Sequence, residues 1–362
     1  MTRPAHDFET LQEAVQAAHI NLNANIWDYL IGGADTETTV KRNRQALDSI
    51  AFRPRVLRDV SQVDLSRQLF GQTLRLPLLL APIGSLESFE AGGGATAAKA
   101  AAEFGVAHML SSVCNPGLEE VAAAADNLRI YQLYVRGDDA WVDEVVRRAV
   151  DHGYTAFCIT VDTAHYSRRE RDIAKRFVKS WRVRATGGAF QGALNWDNIK
   201  HFKDTHQIPL ILKGIATAED AALCCEHGIE GVYVSNHGGR QLDHGRGALD
   251  VLPEIVKTVN GRATVIVDGG IMRGADVVKA LALGADAVGI GRLECIGMAA
   301  AGREGLVRVL EILEDEVKTC MGLLGVRNWQ ELDASYLHPA APVDAPHVLS
   351  AFPLLTVSDP HY

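Results

Sequence analysis

The stretch TVIVDGGIMRGADVVKALALGADAVGIG, residues 264–291, decides how this chain folds. It opens with a short apolar run, turns at Asp268-Gly269-Gly270, continues as an Ala- and Leu-rich segment and, after Gly284, ends in a second apolar run. Short runs that are apolar throughout suit parallel strands buried on both faces of a sheet. A glycine after a helical segment is the expected helix stop. The stretch therefore predicts a strand–helix–strand unit.

The same pattern recurs on both sides of this stretch. Eight apolar runs are bounded by Gly, Pro or polar residues: Leu78–Ala81, Val106–Leu110, Arg129–Leu133, Ala156–Thr160, Pro209–Leu212, Gly231–Val234, Thr264–Val267 and Ala287–Ile290. Helical segments follow most of them: Thr96–Phe104, Leu118–Ala124, Ala140–Asp151, Thr217–Glu226, Leu249–Val259 and Gly274–Leu283. Eight such units predict an α/β fold, the closed (β/α)8 TIM barrel, with an open doubly wound sheet as the alternative.

Three segments lie outside this repeat within what we interpret as a single domain, residues 1–362. We expect residues 1–77 to form an N-terminal helical cap, 78–325 the barrel and 326–362 a C-terminal extension. After about Asp333 we expect this extension to be an extended arm, packed on a neighbouring subunit. The connection 163–195, after the fourth strand, is long, glycine-bearing and charged, which is typical of a mobile lid.

Composition narrows the class of protein. The net charge of -9 argues against nucleic acid or an anionic membrane as the main partner. Six cysteines without a C-x-x-C pair indicate reduced thiols and a cytoplasmic location. No run approaches the roughly 18 apolar residues of a membrane helix, and we expect no metal site.

Polar side chains or glycine-bearing turns follow all eight apolar runs, where a barrel places its active site. In chain order they are Pro82-Ile83-Gly84, Ser111, Gln132 with Tyr134, Thr160 with Asp162, Lys213, Ser235–Arg240, Asp268–Gly270 and Gly291-Arg292.

His237 is a candidate general base, and Asp162 is the carboxylate that would stabilise its imidazolium. A histidine in a turn is alternatively a hydrogen-bonded structural residue. Arg240 and Arg169 are candidates to grip a substrate carboxylate. The loops that follow the seventh and eighth apolar runs form either a phosphate site, with Arg292 as its cation, or simple turns.

The run Ser235-Asn236-His237-Gly238-Gly239-Arg240-Gln241-Leu242-Asp243 resembles the signature of the FMN-dependent L-2-hydroxy acid oxidases and dehydrogenases. Glycolate oxidase, lactate oxidase, mandelate dehydrogenase and flavocytochrome b2 belong to that family. The resemblance runs from about residue 7 to 335 and includes Phe52-Arg53-Pro54-Arg55, Gln132-Leu133-Tyr134 and Asp268-Gly269-Gly270.

The resemblance implies FMN as cofactor and oxidation of an (S)-2-hydroxy acid to the 2-oxo acid. It implies that His237 is the base, that Asp162 pairs with it, and that Arg169 and Arg240 bind the carboxylate. Tyr29 and Tyr134 would hydrogen-bond the substrate. The residues implied to hold FMN are Pro82, Ile83, Gly84, Ser111, Gln132 and Thr160 for the ring, Lys213 beside N1, Ser235 and Asp268 for the side chain, and Gly270, Gly291 and Arg292 for the phosphate.

Four departures from the family pattern carry expectations. Met272 stands where the family has a phosphate-binding Arg, so either Arg273 reaches round or the phosphate has one cation fewer. Gly84 replaces the Ala of glycolate oxidase and leaves more room near the flavin. Val113 and Tyr166 replace pocket residues, which implies a substrate larger than glycolate. The connection between Arg171 and Trp196 is shorter than usual and lacks the apolar insertion of membrane-bound mandelate dehydrogenases.

Several alternatives stay open. Lys213 is a cation beside a flavin, a Schiff-base nucleophile of an aldolase, or part of a structural ion pair. Another FMN barrel, such as a type-2 isopentenyl-diphosphate isomerase or an enzyme acting on an amine or a modified peptide, is a further rival, as is a flavin-binding protein that lost catalysis. The acceptor is O2, a quinone or a protein, and the resemblance implies a homotetramer.

Overall fold

The structure, a computed structural model, describes residues 7–177 and 187–354. The helices in these ranges are α1 Leu11–Asn21, α2 Ala24–Ile31, α3 Thr38–Asp48, α4 Gly93–Phe104, α5 Leu118–Ala124, α6 Asp139–Asp151, α7 Glu170–Ala174, α8 Gly188–Ala193, α9 Trp196–Thr205, α10 Ala218–Glu226, α11 Ala248–Val259, α12 Gly274–Ala282 and α13 Arg292–Leu324. The strands are β1 Ile50–Phe52, β2 Arg67–Leu69, β3 Gln72–Leu74, β4 Leu78–Leu80, β5 Ala107–Ser111, β6 Arg129–Leu133, β7 Ala156–Thr160, β8 Leu210–Ile215, β9 Gly231–Val234, β10 Thr264–Val267, β11 Ala287–Ile290 and β12 Leu337–Pro339.

Strands β4 to β11 form a closed parallel barrel in chain order, in which β11 pairs with β4. The predicted (β/α)8 barrel is therefore confirmed, and the open doubly wound sheet is wrong. Each strand is short and almost wholly buried, because its outer face packs on helices and its inner face fills the barrel.

The barrel interior is a layered core in which alternate strand residues point inward. Its apolar layer is formed by Leu79, Ala107, Met109, Ile130, Ala156, Cys158, Ile211, Tyr233, Ile266 and Ala287. The next inward position on six strands is polar: Ser111, Gln132, Thr160, Lys213, Ser235 and Asp268. This polar ring lies at the carboxyl-terminal end of the barrel. Each of its residues lies two positions after an inward-facing residue of the apolar layer, and side chains alternate along a strand, so these residues also point inward.

The N-terminal segment contacts both ends of the barrel. The β2–β3 hairpin contributes Leu69 and Leu74 to the apolar layer and closes the amino-terminal end. Helix α3 contacts the loop that follows β9, at the opposite end. Helix α1 packs along α13, and it starts with a capping box in which Thr10 and Glu13 exchange hydrogen bonds.

Part of the chain end packs on its own barrel, and the packing of this extension on a neighbouring subunit stays a prediction. Strand β12 pairs antiparallel with β1, and Phe352 is buried. Residues 355–362 lie outside the described ranges.

The long connection after β7 carries α7 and α8, and residues 178–186 at its centre lie outside the described ranges. Its mobility therefore stays a prediction. Within residues 7–177 and 187–354, no helix is both long and apolar enough to cross a membrane.

Candidate active site

A cavity of about 420 Å³ opens at the carboxyl-terminal end of the barrel. Its wall includes residues that follow seven of the eight strands and residues of α2 from the N-terminal segment. Parallel strands bring their carboxyl ends to one face, which is why residues far apart in sequence meet here.

His237 lines this cavity and lies three residues after the end of β9. Its Nδ1 lies 3.0 Å from Asp162 Oδ1, and its Nε2 lies 3.3 Å from the hydroxyl of Tyr134. A carboxylate only accepts hydrogen bonds, so we assign the proton of the neutral ring to Nδ1. Nε2 then carries the lone pair that a general base needs. The structure thus brings His237, Asp162 and Tyr134 together.

Burial lowers the pKa of His237 below its ordinary value of 6.5, although the charge of Asp162 acts in the opposite direction. The imidazole is therefore neutral at pH 7 and ready to accept a proton. Burial, together with Asp162, raises the pKa of Tyr134, so its hydroxyl keeps its proton and remains a hydrogen-bond donor.

The loop that carries His237 is held by α3. The side chains of Asn43 and Asn236 bond to each other at 2.9 and 2.7 Å, and Asn236 Oδ1 accepts the N–H of Gly239. A Cβ at Gly239 would lie 2.6 Å from the backbone nitrogen of Val40, and its φ of +74° also favours glycine. The N-terminal segment thereby fixes the position of the base.

Two guanidinium groups stand beside His237. Arg240 donates 2.7 Å hydrogen bonds to the carbonyls of Tyr29 and Gly32, and Arg169 Nη2 lies 3.4 Å from the carbonyl of Arg240. Burial and the charge of Arg169 lower the pKa of Arg240. Within the described ranges neither arginine pairs with a carboxylate, so both are available to an anionic ligand.

Tyr29 lies against the same group of residues. Its hydroxyl donates to the carbonyl of Gly84 at 3.1 Å, and the Arg240 guanidinium lies 4.7 Å from the centre of its ring. The structure therefore places Tyr29, Tyr134, Arg169, Arg240 and His237 in one cavity, as the sequence predicts.

Lys213 is a buried cation in an ion pair. Its Nζ lies 2.9 Å from Asp268 Oδ2 and donates to Ser235 Oγ at 2.7 Å. Burial by itself would lower the pKa of Lys213, but the charges of Asp268 and Asp162 and the hydrogen bond to Asp268 together outweigh burial and raise that pKa above its ordinary value. A Schiff-base lysine must be neutral when it attacks, so this environment disfavours the aldolase.

The polar ring has unfilled hydrogen-bonding capacity beneath the cavity. Gln132 Nε2 and Oε1 and Thr160 Oγ1 are buried and have no hydrogen-bond partner within the described part of the chain. Leaving buried polar atoms unpaired costs about 1–3 kcal/mol each, so these atoms indicate a polar ligand above them. A flat ring with donors and acceptors on its edge, such as the isoalloxazine of FMN, fits this arrangement.

One end of the cavity suits a phosphate. Gly270 and Gly291 line it, and Arg292 begins α13 beside them. Arg292 donates to the carbonyls of Leu30, Gly32 and Gly238 and has no carboxylate partner in the described ranges. Burial and the charge of Arg240 lower the pKa of Arg292 to about 9, which still leaves it charged at pH 7. A helix start is a favourable anion site. The Arg292 guanidinium shares the Gly32 carbonyl with Arg240, so it would have to turn from these carbonyls to hold a phosphate at the helix start.

Arg273 does not belong to this phosphate end, which corrects its predicted cofactor role. Its guanidinium pairs with Glu316 at 2.6 Å and bonds the carbonyl of Ala351, while Met272 lines the cavity in its place. Residue 273 is the N-cap of α12, and its side chain extends toward α13 and the chain end. Of the two alternatives, the structure supports the phosphate with one cation fewer.

Sequence reasoning missed the residues that support this loop from below. Arg44 pairs with Asp276 at 2.8 Å and donates to the carbonyl of Gly270, and Asp276 accepts the N–H groups of Met272 and Arg273. The partners are 232 residues apart. A lone arginine in the N-terminal segment gives no local signal of such a contact.

The extra room expected at Gly84 is already filled. A Cβ at Gly84 would lie 2.7 Å from Val113 Cγ2, so the valine occupies the space that the missing methyl leaves. Tyr166 is partly exposed at the mouth, and the Arg169 guanidinium lies 4.7 Å from its ring centre. The pocket is therefore reshaped at this point, not simply enlarged.

The chain is similar in sequence to known proteins over most of its length. A family model described as FMN-dependent dehydrogenase matches residues 18–187 and 179–339. L-lactate oxidase of Nostoc sp. is 39% identical over 355 residues, covering 91% of this chain and 97% of that protein. Glycolate oxidase of Spinacia oleracea is 37% identical, covering 89% and 92%.

The chain is also similar in fold to solved structures of mandelate oxidase. Mandelate oxidase with (S)-2-phenylpropionate is 37% identical with a TM-score of 0.86, covering 93% of this chain and all of that one. A mandelate oxidase variant with a C4a-OH-FMN adduct has a TM-score of 0.84 at 37% identity, covering 92% and 100%.

Proposed function

Because the chain belongs to the family of FMN-dependent dehydrogenases, and is an FMN-dependent oxidoreductase that converts 2-hydroxy acids to 2-oxo acids, we propose that its substrate is an (S)-2-hydroxy acid larger than glycolate. We propose O2 as the acceptor, which the names of the oxidase relatives support, with another diffusible acceptor as the alternative. The observation that carries the 2-hydroxy acid assignment is the pair of guanidinium groups beside the neutral Nε2 of His237, which have no carboxylate partner in residues 7–177 and 187–354.

We assign each of the cavity residues a separate role in the reaction. Arg169 and Arg240 hold the substrate carboxylate, which orients C2 toward His237. Nε2 of His237 accepts the proton that is released as C2 is oxidised, and Asp162 stabilises the resulting imidazolium. The hydroxyls of Tyr134 and Tyr29 donate hydrogen bonds to the substrate oxygens. Bound FMN supplies the two-electron acceptor.

The residues for FMN follow from the fit described above. Gln132 and Thr160 would satisfy the edge of the flavin ring, and Ser111 and the backbone at Pro82, Ile83 and Gly84 would border it. Lys213 would place its charge beside the ring, with Ser235 and Asp268 toward the side chain. Gly270, Gly291 and Arg292 would hold the phosphate.

Two finer properties belong to the same proposal. We propose a cytoplasmic location, which the free thiols of Cys114, Cys158, Cys224, Cys225, Cys295 and Cys320 support because such thiols suit a reducing compartment. We propose a homotetramer on the family resemblance, to be measured by light scattering of the purified protein.

The experiment that tests this function is an anaerobic visible spectrum of the FMN-loaded protein with a panel of (S)-2-hydroxy acids, and their (R) enantiomers as controls. Bleaching of the flavin by (S) acids, fastest with acids larger than glycolate, is the expected result. Turnover of glycolate far above every larger acid would contradict the substrate size. A colourless protein that refuses FMN, and that borohydride traps with substrate at Lys213, would point to the aldolase.

A further inference from the structure

Gln191 is a buried amide that the chemistry above does not use. It lies on α8, in the connection after β7, and it lines the cavity. Its Oε1 accepts the N–H of Val135 at 2.7 Å, and its Nε2 donates to the carbonyl of Thr160 at 2.8 Å. One side chain therefore holds the backbone at the ends of two strands.

The Gln191 amide lies where strands β6 and β7 separate. The two strands pair in parallel as far as Leu133 and Ile159. One and two residues farther on, the carbonyl of Thr160 and the N–H of Val135 bond to the Gln191 amide instead of to each other. An amide carries the same donor and acceptor as a peptide group, so it can take the place of a ladder hydrogen bond across a wider gap. Gln191 thereby fixes how far the two strand ends lie apart.

These strand ends carry the two groups that contact the base. Tyr134 precedes Val135, and Asp162 comes two residues after Thr160. The Tyr134 hydroxyl lies 3.3 Å from Nε2 of His237, and Asp162 Oδ1 lies 3.0 Å from its Nδ1. The separation of the strand ends therefore sets both distances.

The Asp162 carboxylate depends on its backbone for its position. Its Oδ1 bonds to His237, but its Oδ2 is buried and has no hydrogen-bond partner in residues 7–177 and 187–354. The backbone there is held by Gln241, whose Nε2 donates to the Asp162 carbonyl at 3.1 Å, and by Gln191 at Thr160. Loss of the Gln191 amide would leave one of these two restraints.

We propose that Gln191 is a positioning residue, whose amide sets the separation of β6 and β7 and so keeps Tyr134 and Asp162 on the two ring nitrogens of His237. This rests on the proposed function, since it assumes that His237 is the base. Gln191 transfers no proton itself and acts through the two groups that it positions.

The first test is Gln191→Met, which has a side chain of similar length but can bond to neither strand end. With FMN saturating and its occupancy checked by absorbance, kcat should fall by about 10- to 100-fold while KM stays within about threefold, because the error lies in the position of catalytic groups. Gln191→Asn keeps a neutral amide that is one methylene shorter and reaches one strand end at most. It should retain part of kcat.

The pH profile separates positioning from a general loss of structure. The groups that act on the charge of His237 include Asp162, Lys213 and Arg169. Gln191→Met leaves all of these groups in the protein. A shift of the acid limb of kcat/KM to lower pH would therefore report that the carboxylate has moved away from the imidazole.

A double-mutant cycle tests whether Gln191 acts through Asp162. In the Asp162→Asn protein the charge is already absent, so Gln191→Met should cost much less there than in the wild-type protein. Gln207→Met is the matched control, because Gln207 is exposed and precedes β8. It makes the same substitution and should change neither kcat nor the acid limb. If Gln191→Met does not fold, Gln191→Asn takes its place in the cycle.

Three results would overturn the proposal while the function stands. They are an unchanged acid limb, an equal loss in the wild-type and Asp162→Asn proteins, and a rise in KM at constant kcat, which would make Gln191 a substrate contact. Flavin of the wild-type protein that no 2-hydroxy acid bleaches would overturn the function itself.

Discussion

The contact between Gly84 and Val113 predicts that these positions cannot be changed independently. In Gly84→Ala, the new Cβ would lie 2.7 Å from Val113 Cγ2, which is 0.7 Å inside the 3.4 Å where ordinary contact begins. Overpacking of this kind costs about 1–3 kcal/mol. Because the Gly84 carbonyl also accepts the hydrogen bond of Tyr29, a shift of its backbone moves the hydroxyl that we propose to bind substrate.

Gly84→Ala should lower the free energy of unfolding by about 1–3 kcal/mol, and it should lower kcat/KM as well because the backbone that holds the Tyr29 hydroxyl shifts. Val113→Ala removes the opposing methyl groups, so the double variant should recover most of that loss. The assay is a double-mutant cycle on kcat/KM, accompanied by urea unfolding of all four proteins. We expect a coupling free energy of about 1–2 kcal/mol.

Additive effects, with the double variant as impaired as the sum of the single variants, would refute the steric argument. A Gly84→Ala protein of unchanged kcat/KM and stability would refute it as well, since it would show that Val113 moves aside without cost.

Two further predictions concern the base and the cofactor. The acid limb of the kcat/KM profile should lie below pH 6.5, because His237 acts as a base only when neutral and its pKa is lowered by burial. Asp162→Asn removes the charge that raises this pKa, so the limb should move to lower pH and the plateau should fall by about 10²-fold or more, whereas an upward shift would contradict the pairing. Met272→Arg should tighten FMN binding by about 10- to 100-fold, measured by quenching of free FMN fluorescence with apoprotein. Riboflavin lacks the phosphate and is the control, so equal tightening of riboflavin would exclude a phosphate contact.

Much of the architecture could be predicted because its signals are local. The strands Arg129–Leu133, Ala156–Thr160, Gly231–Val234, Thr264–Val267 and Ala287–Ile290 coincide with apolar runs of the sequence. Once eight such runs close in chain order, their carboxyl ends meet at one face, so polar residues that follow them must converge. For that reason the sequence by itself determined the fold and the grouping of His237, Asp162, Lys213 and Asp268.

Only the tertiary structure decided the contacts between residues that are remote in the chain. Arg273 follows the glycine turn, and its side chain could point into the cavity or away from it. Its direction depends on Glu316 and the chain end, which pack against α12. The filling of the space at Gly84 by Val113 depends on a distance between two loops. Such contacts are set by how whole elements pack, to within less than an ångström, and strand or helix periodicity carries no information at that scale.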